Sequence, residues 1–186
     1  APETERPVIA VFASDRGPGS AERASIMSQA GSYFARKGAR IVCLEQNDVI
    51  PVPLITSARA AGGSVLIVAH ENFQPPRALS TLEVMRIADQ EERLRRLGGL
   101  AQAFVGLPGS FASVSALYSA WVRAGGGERG EPVVLLNRDR AFEVVRGFAA
   151  DILSHSVDHS ERLVQFTETV EDAWARISRL LSDPHV

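Results

Sequence analysis

Two short segments concentrate groups able to hold an anion: Ser14-Asp15-Arg16-Gly17-Pro18-Gly19-Ser20 and Pro108-Gly109-Ser110-Phe111-Ala112-Ser113. In each, an apolar run ends, Gly and Pro bend the chain, and serine hydroxyls stand just ahead of a helical pattern. A junction of this kind aims unpaired N–H groups and the positive end of a helix dipole at one point. Ser14, Asp15, Pro108, Gly109, Ser110, Ala112 and Ser113 are therefore the expected ligand- or phosphate-binding residues, although the same composition also makes an ordinary tight turn and cap. Arg93 precedes the second segment on an expected helix. Its guanidinium could pair with phosphate or stabilise developing charge, which makes it the candidate catalytic residue.

Other chemistries find less support. His155 and His159 have the i, i+4 spacing of a metal pair, but Ser156-Val157-Asp158 between them carries no metalloprotease signature. No metal site and no cofactor are expected. The chain lacks a Gly-x-Ser-x-Gly elbow and a Walker loop, and its one G-x-G-x-x-G string, Gly125–Gly130, lies in an expected loop ahead of a strand rather than between a strand and a helix, so elbow-based acyl transfer, dinucleotide binding and P-loop hydrolysis lack their motifs. Cys43 is the only cysteine and sits in the apolar run Arg-Ile-Val-Cys-Leu, which fits a reducing, cytoplasmic setting.

The elements that must position these groups follow a strand–helix rhythm. Pro7–Ala13, Arg40–Leu44, Ser64–Ala69, Ala103–Leu107, Pro132–Leu136 and Leu163–Phe166 read as short buried strands. Between them, helices are expected from Ser20 to Lys37 with Gly38 as a left-handed cap, and at Leu54–Ala61. The spacing Ser80-Thr81-Leu82-Glu83 predicts a capping box opening a helix to Leu97. A helix follows the Pro108–Ser113 loop, another spans Arg140–Leu153, and a last one is capped by Thr169 through Asp172. Alternation of this kind predicts an α/β, doubly wound, mainly parallel sheet flanked by helices, with ligands bound beyond the carboxyl ends of its strands.

At 186 residues with 45% apolar side chains, the chain has the size and core content of one domain, with residues 1–6 as a flexible N-terminal segment. A net charge of −2 gives no field suited to nucleic acid, and no apolar run approaches a membrane span.

Taken together, these features resemble the Lonely Guy (LOG) family, Rossmann-like phosphoribohydrolases that release a free base from a nucleoside 5′-monophosphate. The resemblance rests on Val11-Phe12-Ala13-Ser14-Asp15-Arg16 in place of V-F-C-G-S-S, and on Ala101–Gly109 in place of A-D-A-F-I-A-L-P-G. Pro132–Asn137 likewise resembles K-P-V-G-L-L-N without its lysine. It implies that P-G-G-x-G-T-x-x-E falls on Pro108–Ala116, so that the family's catalytic glutamate is Ala116. The R-K pair falls on Arg93-Leu94, and the first glycine-rich loop on Leu44–Val52, which holds none of its glycines.

Cleavage of an N-glycosidic bond needs a positioned carboxylate to stabilise an oxocarbenium-like sugar and activate water. The leading expectation is therefore a LOG-like protein that binds a nucleoside monophosphate or another small phosphorylated or anionic ligand without turnover. A phosphoribohydrolase with a relocated carboxylate, drawn from Glu45, Asp48 or Asp15, is the enzymatic alternative. A non-catalytic structural or regulatory homo-oligomer is the third. The resemblance also implies a homodimer. Leu117, Tyr118 and Trp121 on the helix Val114–Val122 are either its contact surface or core.

Overall fold

A computed structural model describes residues 6–14, 20–109, 111–125, 131–138 and 164–182. Among the described residues, seven parallel strands form one sheet: β1 (Val8–Phe12), β2 (Arg40–Leu44), β3 (Val65–Ala69), β4 (Glu83–Arg86), β5 (Ala103–Gly106), β6 (Val133–Leu136) and β7 (Val164–Thr167). Their spatial order is β4-β3-β2-β1-β5-β6-β7. The central strands are uninterrupted apolar runs because both their faces are covered. Along β1, Ile9 and Val11 join one core layer, whereas Ala10 and Phe12 join the other.

The first layer is made with α1 (Ser20–Arg36), α2 (Val52–Ala60) and α5 (Val170–Ser182); Phe34 of α1 meets Trp174 of α5 with ring centroids 6.1 Å apart. The second is made with α3 (Gln90–Leu100) and α4 (Phe111–Arg123). Because β1 pairs with β2 on one side and β5 on the other, the connections leaving β1 and β5 diverge to opposite faces. A crevice must open where they part.

The doubly wound α/β architecture is as expected, and so are several local devices. Gly38 has φ of 87°, the left-handed cap that ends α1. Thr169 Oγ1 accepts the Asp172 N–H at 3.0 Å, capping α5.

The helix expected from Ser80 to Leu97 is corrected. A single 3₁₀ turn at Arg77–Leu79 ends at Ser80, and Glu83–Arg86 pairs in register with Leu66–Ala69 as an edge strand. The helix begins only at Gln90, where the Asp89 carboxylate accepts the Glu92 N–H at 3.0 Å. Pairing with β3 outweighs the local capping signal of Ser80 and Glu83.

Leu117 and Trp121 are core residues; the Trp121 indole N–H donates to the Glu131 carbonyl at 3.2 Å. Of the expected contact surface only Tyr118, at 40% exposure, faces outward, joined by Val122 at 44%. The helix expected at Arg140–Leu153, the His155/His159 pair and residues 1–5 lie outside the described residues, but the Arg6 carbonyl accepts from Arg40 Nη2. Among the described residues no helix is long and apolar enough to cross a membrane.

Cys43, in the middle of β2, is fully buried, and that burial pushes its thiol up from 9.0 to about 12. The folded state therefore keeps its thiol protonated where the unfolded chain would ionise, and it loses stability as pH rises from 9.0 towards about 12. At pH 8, iodoacetamide should leave Cys43 unmodified in the native protein and label it fully in denaturant. Prompt native labelling, read by mass spectrometry, would contradict this burial.

Candidate functional site

The chain leaves β2 through Leu44 into a two-residue reverse turn. Gln46 and Val49 exchange both backbone hydrogen bonds, at 3.0 and 2.9 Å, while Asn47 and Asp48 have φ of 51° and 65°. Those angles are the type I′ signature, and Asn and Asp are the non-glycine residues that tolerate them best. Directly before the turn lies Glu45, only 5% exposed. One of its oxygens accepts the Asp48 N–H at 2.8 Å and the other the His70 N–H at 3.0 Å. A single carboxylate thus joins the end of β2 to the end of β3.

His70 completes a clasp. Its Nδ1 accepts the Asn72 N–H at 3.1 Å, which places the ring proton on Nε2, and Nε2 lies 2.8 Å from Asp48 Oδ1. An edge contact with Phe73, centroids 6.2 Å apart, fixes the ring plane. Glu45, Asp48 and His70 bring three possible ligand atoms within 4.8 Å of one another. A metal at that spot would need the Nε2 lone pair, whereas the Asn72 N–H holds the ring in the tautomer that has none to offer. The group is built as a hydrogen-bonded clasp.

This clasp forms one wall of a cavity of about 620 Å³ at the carboxyl edge of the sheet, with Leu44, Gln46 and Asn47 beside it. The facing walls come from α3, through Gln90, Arg93 and Leu94, and from the first turns of α4, through Ala112, Ser115, Ala116 and Ser119. Gln46 Nε2 reaches the Ala112 carbonyl at 3.4 Å and bridges the two sides. Arg93 Nη1 donates to the carbonyls of Ile87 at 2.7 Å and Ala88 at 2.9 Å. Those bonds aim the guanidinium, and its Nε and Nη2 make no bond among the described residues.

No family model and no curated protein sequence matches the chain. The structure of the molybdenum cofactor carrier protein from Chlamydomonas reinhardtii superposes with a TM-score of 0.68 at 18% identity, covering 96% of this chain and 100% of that one. The molybdenum cofactor binding protein from the phototrophic bacterium Rippkaea orientalis gives 0.71 at 15% identity, covering 95% and 98%. The chain shares their fold.

Within that shared fold, the expected residues fall into two groups. Arg93 and Ala112 line the cavity, as does Ala116, the position that the LOG resemblance assigns to the catalytic acid. Ser14, Pro108, Gly109 and Ser113 meet instead at the parting of β1 and β5. There a Cβ added to Gly109 would lie 2.8 Å from Ser113 Oγ and 3.0 Å from the Ser14 nitrogen, so only glycine lets the two loops approach this closely. Pro108 and Ser113 are buried at that junction. Asp15 and Ser110 lie outside the described residues.

His70, Gln90, Ser115 and Ser119 also line the cavity, and none of them belongs to a sequence motif for binding. The signal for His70 was present, since it directly follows the strand ending at Ala69. Gln90 is obscured in the sequence by the capping signal at Ser80, which points to a helix start ten residues earlier than the one formed.

Of the three carboxylates open to relocated catalysis, Glu45 has both oxygens engaged by backbone N–H groups, Asp48 presents one oxygen without a partner among the described residues, and Asp15 lies outside them. The cavity therefore offers one oriented cation, one exposed carboxylate and several neutral hydrogen-bonding groups.

Proposed function

We propose that the protein binds a small phosphorylated or otherwise anionic organic ligand in this cavity, with nucleoside 5′-monophosphates among the candidates, and releases it unchanged. The observation that carries the reading is Arg93. Its guanidinium is held by two backbone carbonyls with donors left over, on the wall of a cavity of the size that takes small organic ligands. Ala116 opposes turnover, because a methyl group stands where the LOG resemblance places the acid. The structural neighbours are named for carrying or binding molybdenum cofactor, which supports carriage as a use of this fold. Pairing of two copies through Tyr118 and Val122 belongs to the same reading.

The test is a panel of nucleoside 5′-monophosphates, other small phosphates and molybdenum cofactor, read by thermal shift and by chromatography for free base. At least one compound should raise the melting temperature and be recovered intact, and Arg93→Gln should weaken it by roughly 10- to 100-fold. Robust base release would favour the phosphoribohydrolase alternative. Absence of any thermal response would favour the structural homo-oligomer.

A further inference from the structure

The cavity is polarised. On one wall stands Arg93. On the other stands Asp48, whose side chain is 74% exposed, with Oδ1 held by His70 and Oδ2 without a partner among the described residues. Glu45 lies directly behind Asp48, with its nearer oxygen 3.7 Å from His70 Nε2.

Such a wall repels phosphate and attracts hydrogen-bond donors. Asp48 is also held in place: its backbone N–H is fixed by Glu45, its carboxylate by His70, and the His70 ring by Asn72 and Phe73. A carboxylate ordered before binding loses little freedom on accepting an N–H, which makes it selective. Between the two charged walls the surface is partly apolar, from Leu44, Leu94 and Ala116, and suits the face of a planar ring.

We infer that Asp48 is a specificity-determining residue that accepts the N–H donors of an amino-substituted heterocycle, while Arg93 takes the anionic group at the ligand's other end. This assignment rests on the reading that the cavity binds an anionic organic ligand. It fixes the ligand's orientation, with the phosphate against α3 and the ring edge against the turn after β2. It also disfavours compounds that carry phosphate without a donor edge.

The experiment compares adenosine and guanosine 5′-monophosphates with purine riboside 5′-monophosphate, which lacks both amino group and ring N–H, and with ribose 5-phosphate. Binding is measured calorimetrically on the wild-type chain and on Asp48→Asn, Asp48→Ala and Arg93→Gln, each with its melting temperature recorded. At least one amino-bearing nucleotide should bind about tenfold or more tightly than purine riboside 5′-monophosphate. Both Asp48 variants should erase that preference, read as the ratio of the two affinities within each variant, whereas Arg93→Gln should weaken all phosphates alike. Equal affinity with and without the amino group, or a preference surviving both Asp48 variants, overturns the role of Asp48 and leaves phosphate binding standing. Failure of every compound to bind the wild type overturns the binding reading and this inference together.

Discussion

Replacing Gly31 by valine is expected to destabilise the protein by at least about 3 kcal/mol, lowering its melting temperature by about 6–12 °C. Gly31 lies on the face of α1 that meets α2, where a Cβ would sit 2.3 Å from the Leu54 carbonyl oxygen and 3.1 Å from the Ala58 nitrogen. Both are backbone atoms and cannot rotate away. The two helices would have to separate, opening the layer that holds Met27, Ala30, Phe34, Leu54, Ile55 and Ala58 against the sheet. Thermal unfolding followed by circular dichroism measures the loss. A Gly31→Val protein that melts with the wild type would show that the α1–α2 approach is looser than described.

Glu45→Leu should be the most damaging change at the site, costing about 2–4 kcal/mol of stability and abolishing ligand binding. Leucine fills a similar volume but accepts nothing, so the N–H groups of Asp48 and His70 both lose their acceptor. The turn at Gln46–Val49 then keeps its own two hydrogen bonds and the side-chain bonds of Asp48 to His70 and of Gln46 to Ala112, but it loses its buried anchor while holding two non-glycine residues at positive φ. Glu45→Gln keeps one acceptor oxygen and should lose about half as much. Denaturant unfolding checks the stability, and chemical shifts of the Asp48 and His70 amides check the clasp. Wild-type stability in Glu45→Leu would refute the anchoring role.

Much of this fold is legible because its strands are buried on both faces, and burial writes itself as apolar runs. Arg40–Leu44 could be delimited to the residue, and β1 differs from its expected range by one residue at each end. β4 left no such mark. It is a four-residue edge strand with Glu83 and Arg86 exposed at its ends, too short to show a two-residue period and preceded by a false capping signal.

The site divides in the same way. Arg93 could be placed because it lies on a helix whose position follows from the alternation of elements, and Ala112 because it lies in the expected junction Pro108–Ser113, although α4 begins within that junction at Phe111. The clasp could not, because it depends on the Glu45 side chain accepting a backbone N–H from His70, twenty-five positions away. No periodicity encodes such a bond. The sequence shows only that Leu44–Val52 holds none of the glycines of the loop it resembles, whereas the structure shows what stands there: a fixed turn that makes the wall acidic.

The deciding property of this protein is whether its cavity holds an intact ligand. Wild-type protein incubated with the nucleoside monophosphate and small-phosphate panel, then assayed in parallel for bound compound and liberated base, decides it. The expected result is saturable binding of at least one phosphorylated compound that needs Arg93 and yields no free base. Binding indifferent to Arg93, or stoichiometric release of base over many turnovers, would contradict it.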